Sequence, residues 1–363
     1  MTRVILCEVI TNVANKFLID QRMEELHELV WTYGWLTVAE VVQQRATPDY
    51  KYYVGKGKLE EIRAMMLELW ATILIIGNIM KPSQIYQVNE YLRKDGVQAR
   101  DRVDLILKIF DRHATSMEAR LQIELAAIKH MWPRIFGMGM EMSRQWGGKW
   151  NVRGLGETNT ERMRRHLAKR KAYIVKSLRQ YEQVRATHRA ARQKRDLVTI
   201  GLVGYTNAGK STLMNALTHK GVLVEDKLFA TLWTSVGKLW IEQQDGQGKE
   251  VLINDTIWFI RDLPPDLISA FRSTLEDSIE ADLLLHLIDS SDPLLEDKIS
   301  VVNAILDEIG AEQPRVLVFN KIDRLTKKDL SVLKKTYGKT AYYLSAVSGE
   351  GIEKLKERLG KVV

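Results

Sequence analysis

The feature that most constrains this chain is a glycine-rich loop between an apolar strand and a helix-like stretch. The loop GYTNAGKS follows the apolar run LVTIGLV, and its last serine opens the stretch STLMNAL. It matches the pattern G-x-x-x-x-G-K-[ST], in which backbone N–H groups surround phosphates, the lysine contacts the β- and γ-phosphates, and the hydroxyl binds magnesium. We therefore assign phosphate binding to Gly204, Tyr205, Thr206, Asn207, Ala208, Gly209, Lys210, Ser211 and Thr212.

A second motif, N-K-x-D, follows the apolar run RVLVF at Asn320–Asp323. An aspartate carboxylate that accepts two hydrogens from the guanine edge selects guanine over adenine. Alone, the tetrapeptide also fits a surface loop, but after a phosphate loop it favours GTP over ATP. The guanine-binding residues predicted on this basis, including the segment after AYYL, are Asn320, Lys321, Asp323, Ser345, Ala346 and Val347.

Two further segments have the order expected of switch regions. LFATL contains a threonine whose hydroxyl and carbonyl can contact magnesium and the γ-phosphate. VLIND ends in an aspartate that we expect at the tip of a strand, near the metal. The predicted switch residues are Phe229, Ala230, Thr231, Leu232, Asp255, Thr256, Ile257 and Trp258. We expect Mg²⁺ to be bound by Ser211 and Thr231, with Asp255 contacting the ion's other ligands, and we assign no catalytic side chain.

The 363 residues (41.7 kDa) are too many for one ordinary domain, and the pattern changes twice along the chain. Strand-like and helix-like stretches alternate over 1–110, which predicts a small α/β subdomain with a parallel sheet. Residues 111–195 read as two long helices joined by a Gly/Arg-rich loop, an antiparallel hairpin. Residues 196–363 form the nucleotide domain, expected to be a mixed sheet flanked by helices.

Charge and cysteine content limit the environment and the partners. Lys and Arg number 54 against 46 Asp and Glu, a net charge of +8 with a pI near 9.3. The second hairpin helix carries most of this excess; it is either a solvated helix face or a nucleic-acid surface, and the adjacent Gly/Arg loop favours the latter. Cys7 is the single cysteine, and no apolar run reaches about 18 residues, so we expect a cytoplasmic protein without membrane insertion.

Whole phrases of the sequence resemble the HflX family of translation-factor-related GTPases. They include YYVGKGKLEEI, KPSQ, SRQWGGKWNVRGLGETNTERMRRH, GYTNAGKSTLMNAL and FNKIDRL, and they span nearly the whole chain. The resemblance implies an N-terminal domain with a helical hairpin followed by a Ras-like G domain. It also implies binding of the large ribosomal subunit and its rRNA, and splitting of stalled ribosomes under stress. Some members carry a further C-terminal domain, which we do not expect here, and we expect a monomer.

The predicted RNA contacts are basic residues at or next to the hairpin tip, because arginines there can pair with rRNA phosphates. They are Arg144, Arg153, Arg162, Arg164 and Arg165.

Four tryptophans depart from the family pattern. The D-T-x-G phrase ends in Trp258, Trp233 replaces an aspartate, and the hairpin loop has Trp146 and Trp150 where glycines are expected. One interpretation is lineage drift or an artefact of the sequence, since one base separates a glycine codon from a tryptophan codon. The other is a GTPase with altered switch regions. Phe259 stands where many Ras-like proteins carry a water-orienting glutamine, so we expect slow intrinsic hydrolysis.

Three functional hypotheses remain open on the sequence. The first is a GTPase that couples its nucleotide state to ribosome binding. The second is a nucleotide-gated RNA-binding protein with vestigial hydrolysis. The third is ATP use by the N-terminal domain through GKGK at 55–58, which also fits a glycine turn with solvated lysines.

Base selection by Asp323 is directly testable. Asp323→Asn should shift preference from GTP to xanthosine triphosphate, because the xanthine edge is complementary to an amide. Nucleotide competition assays with both triphosphates measure the shift, and Lys210→Ala should abolish triphosphate binding with either base. Unchanged GTP affinity in the Asp323 variant would contradict the assignment of the guanine motif.

Overall fold

The computed structural model describes residues 1–11, 16–114, 116–130, 155–193, 198–218, 236–242, 248–255, 259–264, 267–268, 281–338 and 340–362. These form two compact units. The first comprises Met1–Arg112 with Ser116–Arg179, and the second comprises His113–Thr115 with Gln180–Val363.

The first unit contains a four-stranded parallel sheet with the strand order β2-β1-β3-β4. Parallel neighbours require crossover connections, and the helices between the strands provide them. The elements are β1 (Arg3–Ile10), α1 (Lys16–Tyr33), β2 (Leu36–Gln44), α2 (Lys56–Glu68), β3 (Ile73–Ile76), α3 (Pro82–Leu92), β4 (Gln98–Asp101) and α4 (Arg102–His113).

The strand β4 was not predicted, because its four residues, QARD, lack an apolar run. A side chain of α3 holds this edge strand in place. Asn89 Nδ2 donates to the Ala99 carbonyl at 3.0 Å, and Asn89 Oδ1 accepts from the Ala99 N–H at 2.8 Å. A side-chain amide thus satisfies backbone groups that an edge strand would otherwise leave open.

Two helices follow, α5 (117–130) and α6 (Leu155–Gln193). Arg170 on α6 makes a bidentate ion pair with Glu124 on α5, with N–O distances of 2.6 and 2.7 Å. Ile174, one turn further along α6, is fully buried. The loop predicted between the two helices lies outside the described residues.

The second unit contains a six-stranded mixed sheet with the order β10-β9-β8-β5-β7-β6. The β6–β7 pair is antiparallel, and the other four pairs are parallel. The elements are β5 (Thr199–Gly204), α7 (Lys210–Thr218), β6 (Val236–Glu242), β7 (Gly248–Asp255), β8 (Leu283–Asp289), α8 (Leu295–Glu308), β9 (Arg315–Asn320), α9 (Lys327–Tyr337), β10 (Tyr342–Tyr343) and α10 (Ile352–Val362). The predicted fold class, an α/β chain with a phosphate-loop nucleotide domain, is confirmed.

The register of this sheet brings the predicted motifs to one edge. Leu202 on β5 pairs with Asp255 at the end of β7, and Gly204 pairs with Leu287 on β8. Asp289 at the end of β8 pairs with Asn320 at the end of β9. Ligands of such sheets bind at the carboxyl ends of the parallel strands, which is where these residues lie.

No helix in the described part of the chain is both long and apolar enough to span a lipid bilayer.

Candidate functional site

The phosphate loop begins and ends at glycines that have no room for a side chain. A Cβ on Gly204 would lie 2.3 Å from the Leu287 carbonyl oxygen on β8. Gly209 has a φ of +92°, and a Cβ there would lie 2.3 Å from Asn320 Nδ2. Both positions therefore need glycine because another atom lies too close for a Cβ, and Gly209 also needs it because its backbone is left-handed.

Lys210, the first residue of α7, is buried against the loop's own backbone. Its Nζ donates to the carbonyl oxygens of Gly204 at 2.8 Å and Tyr205 at 3.0 Å. Burial lowers the pKa of Lys210 to about 8, and the carboxylate of Asp255 only partly offsets this. A phosphate bound in the loop would stabilise the ammonium form that burial disfavours.

Ser211 and Asp255 form the candidate magnesium site. The Ser211 hydroxyl donates to Asp255 Oδ2 at 3.0 Å, and Asp255 is fully buried at the end of β7. Hydroxyl, carboxylate and water oxygens are the ligands that Mg²⁺ prefers. The two residues therefore fit a magnesium ion next to the phosphate loop.

Asn320 connects the phosphate loop to the guanine side of the site. Its Nδ2 donates to the Ala208 carbonyl at 2.9 Å, and its Oδ1 accepts from the Ala346 N–H at 2.9 Å. The Ser345 hydroxyl accepts from the Ser348 N–H at 3.1 Å, which shapes the loop that carries Ala346. Three predicted segments therefore meet at one amide side chain.

The other residues predicted to bind guanine differ in solvent exposure. Lys321 has a left-handed φ of +63°, and its Nζ lies 2.7 Å from Asp289 Oδ2. Asp323 is exposed in the short turn that follows, and Val347 is 83% exposed. The carboxylate that would read guanine is thus accessible to a ligand.

The other predicted residues are placed as follows. Thr206 and Ala208 are buried, Asn207 is exposed with a φ of +61°, and Thr212 is half-buried. Outside the described residues lie Phe229, Ala230, Thr231, Leu232, Thr256, Ile257, Trp258, Arg144, Arg153, Trp146, Trp150 and Trp233. On α6 the structure places Arg162, Arg164 and Arg165, all exposed.

Three family models match consecutive parts of the chain. They are described as GTP-binding GTPase N-terminal (residues 20–111), GTP-binding GTPase Middle Region (113–192) and 50S ribosome-binding GTPase (199–321). The GTPase HflX of Caldanaerobacter subterraneus subsp. tengcongensis is 40% identical over 341 residues, covering 94% of this chain and 76% of that protein. The GTPase HflX of Escherichia coli is 37% identical, covering 94% and 80%. This chain belongs to the HflX GTPase family.

Structural comparison agrees at the level of the fold. The crystal structure of SsGBP in complex with GDP has a TM-score of 0.54 and 24% identity, covering 100% of this chain and 98% of that one. The predicted HflX resemblance is confirmed. GTP binding, and GTP hydrolysis in general, follow from this family membership.

In this HflX-family chain, Phe259 is a core residue rather than a residue that faces solvent. Its side chain is 1% exposed, and its backbone forms a parallel bridge with Tyr205 of the phosphate loop. An apolar ring buried in this way cannot orient an attacking water. Slow intrinsic hydrolysis stays a prediction of the sequence.

Two residues of β8 near the site were missed by the sequence reasoning. Burial raises the pKa of Asp289, but hydrogen bonds from Lys321 and Ser291 outweigh it and leave the pKa below its usual value. His286 is 1% exposed, and burial, with Arg315 and Lys210, lowers its pKa to about 3, so the ring is neutral. The sequence signal that could have found them is that both are polar residues, one within and one at the end of the apolar strand LLLHLID.

The lysines of the GKGK segment pair within α2. Lys58 forms an ion pair with Glu61, and Lys56 lies 3.9 Å from Glu60. Gly55 precedes the helix without a side-chain cap. These contacts match the glycine turn with solvated lysines, one of the two interpretations of this segment.

The buried lysine predicts a pH dependence of nucleotide affinity. Because the pKa of Lys210 is about 8 in the free protein and must rise when phosphates bind, binding above pH 8 requires proton uptake. The affinity for GDP should fall by about tenfold from pH 7 to pH 9, as the protonated fraction falls by that factor. Calorimetry in buffers of different ionisation enthalpy measures both the affinity and the protons taken up. A flat affinity with no proton uptake at pH 8.5 would contradict the assignment.

Proposed function

We propose that this chain binds the large ribosomal subunit through rRNA and couples GTP binding and hydrolysis to ribosome splitting or rescue under stress, acting in the cytoplasm. Two findings support the proposal. The chain belongs to the HflX GTPase family, and its nucleotide domain matches a family described as 50S ribosome-binding GTPase. The described part of its middle region includes the strongly basic helix α6.

The observation that carries the proposal is the charge of α6. This helix contains eleven lysines and arginines against three glutamates, a formal charge of +8 that equals the net charge of the whole chain. Arg162, Arg164 and Arg165 are exposed on it. Polyanion binding by RNA-binding proteins depends on such clusters, because each phosphate contact releases counterions. The charge of α6 therefore favours a nucleic-acid partner, and the match to a 50S ribosome-binding family makes RNA the partner that we propose.

Magnesium is proposed as the cofactor of the nucleotide site. Ser211 and Asp255 offer a hydroxyl and a carboxylate 3.0 Å apart, which fits the ion's preference for oxygen ligands. When bound, Mg²⁺ neutralises charge on the nucleotide phosphates. Thr231 is proposed as a further ligand from its place in the sequence.

A second candidate function is nucleotide-gated ribosome binding with vestigial hydrolysis. It is favoured by the tryptophan at position 258, where the family phrase has glycine, and by the buried ring of Phe259. GTP turnover with and without purified ribosomal subunits separates the two candidates. Clear stimulation supports the GTPase-coupled function, and tight binding without turnover supports the second.

Charge reversal on α6 tests the ribosome contact. Changing Arg162, Arg164 and Arg165 to Glu should weaken binding to large subunits and reduce the slope of log Kd against log salt by up to about 3, because fewer counterions are released. Sedimentation binding assays at several salt concentrations measure both effects.

The matched control makes the same charge change on the exposed face of α9, at Lys327, Lys328 and Lys335. That variant should bind subunits like the unchanged protein. Equal binding by both variants and the unchanged protein would mean that α6 is only a solvated helix.

Trp258→Gly tests whether the second switch is impaired. If residue 258 needs glycine-like dihedrals, tryptophan costs about 1–3 kcal/mol in the triphosphate state. The variant should then raise ribosome-stimulated hydrolysis by roughly 5- to 150-fold, with GDP affinity nearly unchanged. Single-turnover hydrolysis and GDP titration measure the two effects. Equal turnover in both proteins would show that tryptophan is accommodated without cost.

A further inference from the structure

The end of β8 carries a short polar segment, Asp289-Ser290-Ser291, that contacts the guanine motif at two points. The N–H and the hydroxyl of Ser290 donate to the Asn320 backbone carbonyl at 2.9 and 2.6 Å. The Asp289 carboxylate lies 2.7 Å from the ammonium group of Lys321, the next residue of the motif. This segment therefore holds the backbone of the first motif residue and the side chain of the second.

The two oxygens of the Asp289 carboxylate have separate partners. Oδ1 accepts from the Ser291 N–H at 2.9 Å and from the Ser291 hydroxyl at 2.6 Å, whereas Oδ2 lies 2.7 Å from Lys321 Nζ. The contacts with Ser291 fix the carboxylate in its own turn, so Oδ2 is held where the ammonium group meets it. Burial raises the pKa of Asp289, but the hydrogen bonds leave it below its usual value, so the group is an anion at neutral pH.

The ion pair between Asp289 and Lys321 is sheltered from solvent. The side chain of Lys321 is 13% exposed and that of Asp289 is 19% exposed. Solvent screens an ion pair on an open surface, but a sheltered pair with a short charge-assisted hydrogen bond is stronger. A free lysine side chain samples many rotamers. Fixing the ammonium group of Lys321 therefore also restricts the four-carbon stem behind it.

The backbone of Lys321 also restricts where this stem can lie. Its φ is +63°, a conformation that residues other than glycine seldom adopt and that surrounding contacts must hold. Asn320, on one side, is buried and joins two loops of the site, and Asp323, two residues further along, is the exposed carboxylate predicted to read guanine. A lysine stem is apolar, so the face of a planar base can pack against it.

We propose that Asp289 is a positioning residue for guanine-nucleotide binding, which holds the Lys321 ammonium group and so keeps the stem of that lysine in place for the base. Asp289 acts through Lys321 and not by touching the nucleotide. A stem that is already fixed loses little conformational entropy when a base packs on it, which raises the affinity. This role of Asp289 rests on the guanine assignment of residues 320–323 and is independent of the proposed ribosome function.

Asp289→Asn tests the proposal, because it removes the charge and keeps the size of the side chain. The affinity for GDP should fall by roughly 5- to 20-fold, since a hydrogen bond between charged groups is lost. The affinity for GTPγS should fall by the same factor, because the two nucleotides share the base. Titration of the full chain with fluorescent GDP, and competition with GTPγS, measure both affinities without requiring hydrolysis.

A double-mutant cycle with Lys321→Met separates positioning from general support of the fold. Methionine lacks the ammonium group and keeps an unbranched apolar stem. In the Lys321→Met background, Asp289→Asn should lower the GDP affinity no further, because the residue through which Asp289 acts has lost its charge. A carboxylate that supported the site on its own would lower the affinity by the same factor in both backgrounds.

The matched control is Asp307→Asn, which removes the same charge from another ion pair of this unit. Asp307 on α8 pairs with Arg315 at 2.6 Å. Arg315 is the first residue of β9, whereas the guanine motif begins at the last residue of that strand. The control variant should bind GDP like the unchanged protein.

Two outcomes would overturn the proposal. In the first, the Asp289→Asn variant binds GDP as tightly as the unchanged protein. In the second, Asp289→Asn weakens GDP binding by the same factor with and without Lys321→Met, which would make Asp289 a support of the fold that does not act through the lysine. The competition assay on Asp323→Asn reports on the guanine motif itself, so a wrong assignment of that motif is distinguishable from either outcome.

Discussion

The nucleotide site depends on one buried amide. Asn320 is 2% exposed, and it joins the phosphate loop at Ala208 to the guanine-side loop at Ala346 through its two side-chain polar atoms. Its backbone carbonyl accepts bonds from both the N–H and the hydroxyl of Ser290. Because a buried amide that lost one partner would pay the full cost of desolvation, the two loops are held at a fixed separation.

The lysines of the candidate site each have a partner within the protein. Lys210 donates to backbone carbonyls, Lys321 pairs with Asp289, and the buried His286 is neutral because burial lowers its pKa. Both lysines thus have defined partners before a ligand binds. Phosphate would have to compete with the backbone carbonyls for Lys210, and it would stabilise the ammonium form that burial disfavours.

Local sequence patterns predicted much of the fold and of the site, but not the contacts between segments. The phosphate loop, the guanine motif and the long basic helix each have a continuous pattern, and the sheet register then brings the first two together. The edge strand β4 has no such pattern, because it depends on the side chain of Asn89 from α3. The contact of Asp289 with the predicted guanine residue Lys321 was missed for the same reason, because the two residues lie 32 positions apart in the sequence.

The distribution of charge constrains how nucleotide state can be coupled to a partner. Since α6 alone carries a formal charge equal to that of the whole chain, the formal charges of all other residues sum to zero. In the proposed function, the electrostatic attraction of RNA is therefore set by the sequence of α6, because the rest of the chain adds no net charge. A coupling to nucleotide state would then have to act through the conformation of the protein rather than through its net charge.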